Sequence, residues 1–395
     1  MDFHHKYDLT EIINVSGTMT GLGASRIVPE AIAASAEIMP HFVDMHALQL
    51  QASKVIQDLT GAEAGFMTAS VSAGLTITVA GCMTGLDVAA AEALPTPKTQ
   101  PHVVVQAGHL CHYGGAIEQS VRLSGARVVP IGQSTQVLDH QLAGALDETV
   151  AAAVFVVSHH VVEYGQIPLP RFCEICHAAD VPVIVDAASE YDLRGFLAAG
   201  ADLVLYSGHK FLGGPTSGII AGRRDLVKAA YLQNLGIGRG MKIGKESIFG
   251  TMAALNAWKT RDHKGIRARE TAALALWHKA AQGFDGIRAA LNPDVTGNPL
   301  ERLKLSVDPS KAGATAHAIG HALAQNTPPI IVRDHEVELG YIQLDPCNLA
   351  DGQAQTVADA LHKTLQNAAS GQLTEPDATK ARNAGIQAYL DWNGG

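Results

Sequence analysis

Two hydrophobic rhythms alternate between about residues 50 and 255. QLQASKVIQDLTG repeats its apolar positions at helical spacing and stops at Gly61. Short β-branched runs then recur: HVVVQ from 102, ARVVPI from 126, AAVFVVS from 152, VPVIVDA from 181, DLVLYS from 202 and GIIAG from 218. Most are continuously apolar rather than alternating, the pattern of strands covered on both faces. Helical stretches, YGGAIEQSVRLSG and RFCEICHAAD among them, lie between the runs. Strand–helix–strand succession predicts right-handed βαβ units and an open, mainly parallel sheet with helices on both sides.

The rhythm changes from about residue 246. Two long helical stretches, ESIFGTMAALNAWKT and GIRARETAALALWHKAAQGF, lead to strand-like RLKLSVD, PPIIVRD and YIQLD, and then to helical GQAQTVADALHKTLQNAAS. This predicts an α/β large domain over 46–258 and a smaller α+β C-terminal domain over 259–370. Residues 1–45 read as an N-terminal arm or part of the small domain, and 371–395 as a polar tail. No internal repeat or low-complexity segment is visible.

Composition narrows the function classes. The 395 residues are 47% hydrophobic and 17% charged, the balance of a well-buried globular protein. Lys+Arg number 29 against Asp+Glu 38, giving a formal charge of −9, which argues against a nucleic-acid partner. No apolar stretch has membrane-spanning length, and the polar start MDFHHKYDLT lacks a signal-peptide core, so no membrane partner and a cytoplasmic location are expected. Five irregularly spaced cysteines do not suggest a disulfide framework. Cys173 and Cys176 form a CxxC with no second pair, read as small buried residues on one helix face. His109 and His112 form an HxxH without a placed acidic partner, and no metal is expected.

The chemistry concentrates in VIVDAASEYDLRGFLAAGADLVLYSGHKFLGGPTSG. One predicted strand ends in Asp186, and the next ends just before Lys210. Ligands of open α/β sheets bind beyond the carboxyl ends of strands, so both residues are expected in one crevice. That pair suits pyridoxal 5'-phosphate (PLP). The lysine amine would hold the cofactor as a Schiff base, and the aspartate would keep the pyridine nitrogen protonated. In TGAEAGFMTASVSAGLTITVAG, the residues Ser70, Val71 and Ser72 open a helix and are the candidate phosphate site, with Ser207 and His209 as further candidates. His109, or His112 in second place, is the candidate ring to stack on the pyridine. Arg333, at the end of PPIIVRD, is the candidate anchor for a substrate carboxylate.

These motifs, together with IINVSGTMTGLGASRIVPEAI and GIGRGMKIGKE, stand in an order that resembles fold-type-I PLP enzymes. The group it is similar to is the selenocysteine-synthase-related one, which includes L-seryl-tRNA selenium transferase and glucosaminate-phosphate ammonia-lyase-like proteins. The similarity covers most of residues 10–345, and the VDAASE-to-SGHK segment is its most specific part. It implies an aspartate-aminotransferase-like large domain, a small domain, and a homodimer or higher homo-oligomer with active sites at subunit interfaces. It supports Lys210, Asp186, Ser70, Val71 and Arg333 in the roles given above. It also makes Arg239, Lys242 and Lys245 a basic loop near the substrate or a neighbouring subunit's cofactor.

The chain starts almost at the first shared motif, so the tRNA-holding N-terminal domain of selenium transferases is expected to be missing. The expectation is therefore a PLP-dependent lyase acting on a small amino acid or similar molecule. Lys210 would abstract the α-proton, and β-elimination would yield a keto acid and ammonia. An aminotransferase, racemase or aldolase on the same scaffold stays open, and a selenium transferase acting on seryl-tRNA is disfavoured.

Overall fold

The computed structural model describes residues 3–392 and divides into two units, Ala24–Arg261 and a second made of the first 23 residues with Asp262–Gly395. The boundaries fall at Gly23/Ala24 and Arg261/Asp262. Helix Pro29–Ile38 therefore belongs to the larger unit, although the sequence pattern placed residues 1–45 together as an arm or part of the small domain.

In chain order the strands are β1 (Ile13–Val15), β2 (Ala64–Thr68), β3 (His102–Gln106), β4 (Arg127–Ile131), β5 (Val150–Val156) and β6 (Val183–Asp186). There follow β7 (Leu203–Ser207), β8 (Gly218–Gly222), β9 (Ile287–Pro293), β10 (Glu301–Val307), β11 (Ile330–Val332) and β12 (Tyr341–Leu344).

The larger unit holds a seven-stranded sheet in the order β2-β8-β7-β6-β5-β3-β4. All neighbouring strands are parallel except where β8 runs against β2 and β7. The six apolar runs predicted as strands all lie in this sheet, and their continuity has a direct cause. Val104, Ala153, Val183, Val185 and Val204 face one core with Ile56, Phe172 and Leu255 from the helices Met45–Thr60, Leu169–His177 and Lys245–Thr260. Val103, Val105, Val154, Ile184 and Leu205 face the opposite core with Leu75, Ile77 and Val227. Successive strand residues point to opposite faces, so covering both faces requires apolar residues at nearly every position. Helix Val71–Thr84 is apolar nearly all round because it is enclosed against this second face.

The smaller unit contains antiparallel β9-β10-β12 and the parallel pair β1-β11, linked where Arg333 and Gln343 exchange backbone hydrogen bonds. Trp277, Leu303, Leu305, Ile342, Ile319 and Leu361 fill its core. The Trp277 indole nitrogen donates to the Ala354 carbonyl at 2.9 Å, so the largest core side chain leaves no polar atom unpaired. The polar tail folds into helix Ala378–Leu390, which buries none of its side chains.

Candidate active site at the carboxyl ends of the strands

Asp186 is the last residue of β6 and only 2% exposed. Its Oδ1 accepts from the Ala188 N–H at 3.2 Å, and burial lifts its pKa to about 6, against the pull of nearby Lys210. Lys210 follows the adjacent strand β7, in a turn that begins at Gly208. Burial lowers its pKa, opposed by Asp186 and Glu190. An amine and a carboxylate are thus held near each other where both are pushed towards their neutral forms. This is the condition in which a lysine is nucleophilic and a bound cation would find a waiting partner.

The Ser207 N–H donates to the Ala188 carbonyl, tying the loop after β6 to the end of β7. Glu190, in that loop, is 6% exposed. Sequence reasoning passed over Glu190, although VDAASE displays it two residues beyond Ala188.

The segment after β2 forms a candidate anion seat. Ser70 is the N-cap of helix Val71–Thr84, and its Oγ accepts from the Ala73 N–H at 3.1 Å, while the Gly74 N–H bonds the Ser70 carbonyl. The N–H groups of Val71 and Ser72 have no backbone partner among the described residues, and they lie at the positive end of a helix dipole. Ser72 Oγ bonds Ser120 Oγ at 2.7 Å. The seat lies against the start of β8: a Cβ placed on Gly218 would come within 2.2 Å of the Ser70 carbonyl oxygen. Only glycine allows that approach. β8 leads out of the loop carrying Lys210, so the glycine brings the lysine loop and the anion seat together. Ser207 is buried at the end of β7, and His209 Nδ1 accepts from the Ser217 N–H at 3.4 Å.

The two histidines after β3 part company. His109 is 2% exposed, its Nδ1 accepts from the Val156 N–H at 3.1 Å, and its ring stands edge-on to Phe155 at 4.5 Å. Burial takes its pKa down to about 4, so it is a neutral ring with the proton on Nε2. His112 is exposed. Tyr113 turns inward instead, its buried hydroxyl close to Asp186 and Ser120 but without a well-formed hydrogen bond to either. An orphaned buried hydroxyl beside the key carboxylate marks a place for a polar ligand. Residue type pointed to this segment, but sequence could not tell which of its rings faces Asp186.

The loop carrying Arg239 and Lys242 is fastened to the same seat. The Met241 carbonyl accepts from Thr68 Oγ1 at 3.0 Å and from the Ala69 N–H at 3.3 Å. Arg239 and Lys242 themselves are exposed, whereas Lys245 bonds the His41 carbonyl and stands over the Phe42 ring. Cys173 and Cys176 are both buried on helix Leu169–His177, with thiols pushed up to about 12.

In the smaller unit Arg333 is 5% exposed, and its Nε is buried without a partner. Burial and the neighbouring Arg302 lower its pKa, against Asp345, Glu336 and Asp294. A buried guanidinium in this state suits an incoming carboxylate.

The donor set fits PLP: an amine for the aldehyde, a buried carboxylate for the ring nitrogen, and a free helix N-terminus with hydroxyls for the phosphate. Sheet order and donor set together define a fold-type-I PLP-dependent enzyme. More narrowly, the chain belongs to the L-seryl-tRNA selenium transferase (SelA) family, whose model matches residues 12–316. It is 34% identical over 369 residues to D-glucosaminate-6-phosphate ammonia lyase of Salmonella typhimurium (strain 14028s / SGSC 2262), covering 93% of this chain and 99% of that protein. It is also 34% identical over 368 residues to 5'-C-glycyluridine monooxygenase-decarboxylase of a Streptomyces species, covering 92% of each. A solved structure of D-glucosaminate-6-phosphate ammonia-lyase superposes with a TM-score of 0.83 at 33% identity, over 93% of this chain and 99% of that one.

Proposed function

We propose that this PLP enzyme is a lyase that removes ammonia from a small amino acid or amino-acid-like molecule, with D-glucosaminate-6-phosphate as the first compound to test. The observation that carries the proposal is the Lys210–Asp186 pair at the ends of adjacent strands, in a chain that matches an ammonia lyase over 99% of the latter's length.

When bound, PLP supplies an electron sink for the charge that develops at the substrate Cα. Lys210 would hold its aldehyde and Asp186 its ring nitrogen. The Val71 and Ser72 N–H groups with Ser70, Ser72, Ser207 and His209 would hold its phosphate, and His109 would lie against its ring. A positive ring nitrogen facing Asp186 favours the ionised carboxylate over the neutral form that burial alone promotes.

Lys210 Nζ would serve as the base at the substrate Cα. Burial lowers its pKa and so favours the neutral amine, the form that can accept the α-proton. The same nitrogen then returns a proton to the β-oxygen, which leaves with the bonding electron pair as water. The released enamine takes up water to give a keto acid and ammonia. Arg333 is the proposed partner of the substrate carboxylate. Arg239 and Lys242, beside the anion seat, are proposed for a second anionic group on the substrate.

A homo-oligomer without a nucleic-acid partner, located in the cytoplasm, belongs to the same reading. The formal charge of −9 supports the absence of nucleic acid, and the exposed Ile32, Met39 and Phe42 support association of copies. No described helix is long and apolar enough to cross a membrane.

The equal identity to a monooxygenase-decarboxylase favours one second reading, and the same experiment separates the two. The holoenzyme is given D-glucosaminate-6-phosphate and a panel of β-hydroxy amino acids, while keto acid, ammonia and dissolved oxygen are followed. Keto acid and ammonia without oxygen uptake are expected. Oxygen uptake with carbon dioxide release would support the second reading, and no keto acid or ammonia from any compound would overturn the first.

A further inference from the structure

Resting on the reading of Lys210 as the cofactor's amine, we propose that Arg261 is a positioning residue. It fixes Lys210 by gripping two successive carbonyls of the loop that carries it. Residues 208–212 form turns rather than a strand or helix, so no regular ladder holds them. Part of the loop closes on itself: the Gly213 N–H bonds the Lys210 carbonyl at 3.0 Å, and the Gly214 N–H bonds the Gly208 carbonyl at 2.7 Å. Among the described residues, no backbone N–H reaches the carbonyls of Phe211 and Leu212. Arg261 takes both, NH1 donating to Phe211 at 2.8 Å and NH2 to Leu212 at 2.7 Å. Gly213, with φ +71°, gives the turn that presents these carbonyls on one side.

The grip has a firm base. Arg261 directly follows helix Lys245–Thr260, and its guanidinium lies over the Trp258 ring at 4.7 Å. Trp258 stands 5.2 Å from Tyr191, and Tyr191 stands 4.5 Å from Phe211. Both the backbone and the ring of Phe211, the residue next to Lys210, are therefore held by one cluster. The opposite side of the loop rests on the same helix, through Ser217 Oγ and Thr251 Oγ1 at 2.8 Å. A planar guanidinium can meet two neighbouring carbonyls at once, and a lysine ammonium cannot reproduce that fork. Displacing a reacting group by about 1 Å costs a rate on the order of 10²-fold.

The test uses the full chain, PLP alone as the probe, and Arg261→Met and Arg261→Lys variants. Non-covalent uptake is followed by protein fluorescence, and covalent capture by the yellow absorbance and the borohydride-fixed adduct at Lys210. Arg261→Met is expected to take up PLP nearly as well as the parent while forming the adduct on the order of 10²-fold more slowly. Added methylguanidine should restore part of the rate. Arg261→Lys should also be slow, at an unchanged melting temperature.

Parent-like capture by a folded Arg261→Met overturns the proposal. Slow capture by that variant with no methylguanidine effect and a parent-like Arg261→Lys also overturns it, because charge rather than the fork would then be at work. Where Arg261→Met fails to fold, Arg261→Lys decides: slow capture supports the proposal and parent-like capture overturns it. If the parent protein itself gives no adduct at position 210, the Lys210 reading fails, an outcome distinct from all of these.

Discussion

The seven-stranded sheet buries an aspartate near each of its ends, and the two are treated in opposite ways. Asp202, just before β7 at the amino end, is 5% exposed. It accepts from the Val183 N–H at 2.8 Å, His177 Nε2 at 2.8 Å and Arg223 NH1 at 2.9 Å. Asp186, at the carboxyl end, is 2% exposed, yet it receives one backbone N–H at 3.2 Å, has the Tyr113 hydroxyl beside it, and faces an amine that burial drives towards neutrality. A buried charge stabilises a fold only when its lone pairs are met. Asp202 meets that condition with three close partners, whereas Asp186 meets it only in part. Burial alone does not mark a functional carboxylate, but burial without sufficient partners does.

The largest expected effect tests the carboxyl end directly. Lys210→Ala removes the amine proposed both to hold the cofactor and to act as the base. It should abolish the borohydride-fixed adduct and lower kcat by roughly 10⁴-fold, read by ammonia release. Parent-like turnover would remove the distinction between the two ends.

Asp186→Asn comes next and sharpens the contrast, because activity and stability should move in opposite directions. Losing the carboxylate proposed to face the ring nitrogen should lower kcat by about 10³-fold. Stability follows from the sign of the pKa shift. With a folded pKa near 6 against an ordinary 3.8, the folded apo-protein holds more protons than the unfolded chain between those values. The ionised group therefore costs stability that grows as pH rises through the window and is absent below it. The full cost is about 3 kcal/mol at neutral pH, at about 1.36 kcal/mol per tenfold change in proton affinity. Cofactor-free Asp186→Asn should gain up to that amount at pH 7 and almost nothing at pH 4, measured by urea unfolding at both. Equal effects at the two pH values would show that Asp186 is not held in the neutral-favouring state.

The same contrast recurs between two buried arginines of the smaller unit. Arg302 is clamped by Asp345 at 2.7 Å and Asp294 at 2.6 Å, whereas Arg333 Nε has no partner. Arg333→Lys should raise KM about 10-fold to 10²-fold through loss of a bidentate carboxylate pair, with a smaller change in kcat. Arg302→Lys should act first on the melting temperature. Steady-state kinetics and thermal unfolding of both variants check the pair, and a KM effect confined to Arg302→Lys would reverse the assignment.

Sequence showed the carboxyl end of the sheet better than its surroundings. The six apolar runs were legible because strands buried on both faces cannot hide polar residues. β2 was not, because AGFMT is short, contains a glycine and runs straight into the Ser/Ala-rich helix start. β9 was missed because IRAALNP is largely half-exposed and lacks a clean alternation. That Lys210 and Asp186 would come together could be read, because both lie at or just beyond the carboxyl ends of successive strands. Tyr113 could not be separated from His109 and His112, since the direction of each ring depends on the turn through Gly114 and Gly115. Arg261 lies 50 residues from Phe211 in the chain, and nothing local announces that its fork closes on that loop. Residues whose role is set by what lies beside them after folding leave little local signal.

Asp202→Asn carries the smallest expected effect and isolates the amino end. The amide keeps one carbonyl oxygen for the Val183 N–H, His177 or Arg223, but it loses the second acceptor and the charge. Arg223 retains Asp225 through NH2 at 2.7 Å and is about half exposed, so water can take up the freed NH1. The cost should therefore be about 1–3 kcal/mol, the range for a weakened buried hydrogen-bond network with one solvated member. It should appear in the urea midpoint while turnover and KM stay within about two-fold of the parent, since substitutions act mainly on what they touch. If turnover instead fell by about 10-fold or more at unchanged stability, the two ends of the sheet would be coupled. Asp202 would then belong to the working site.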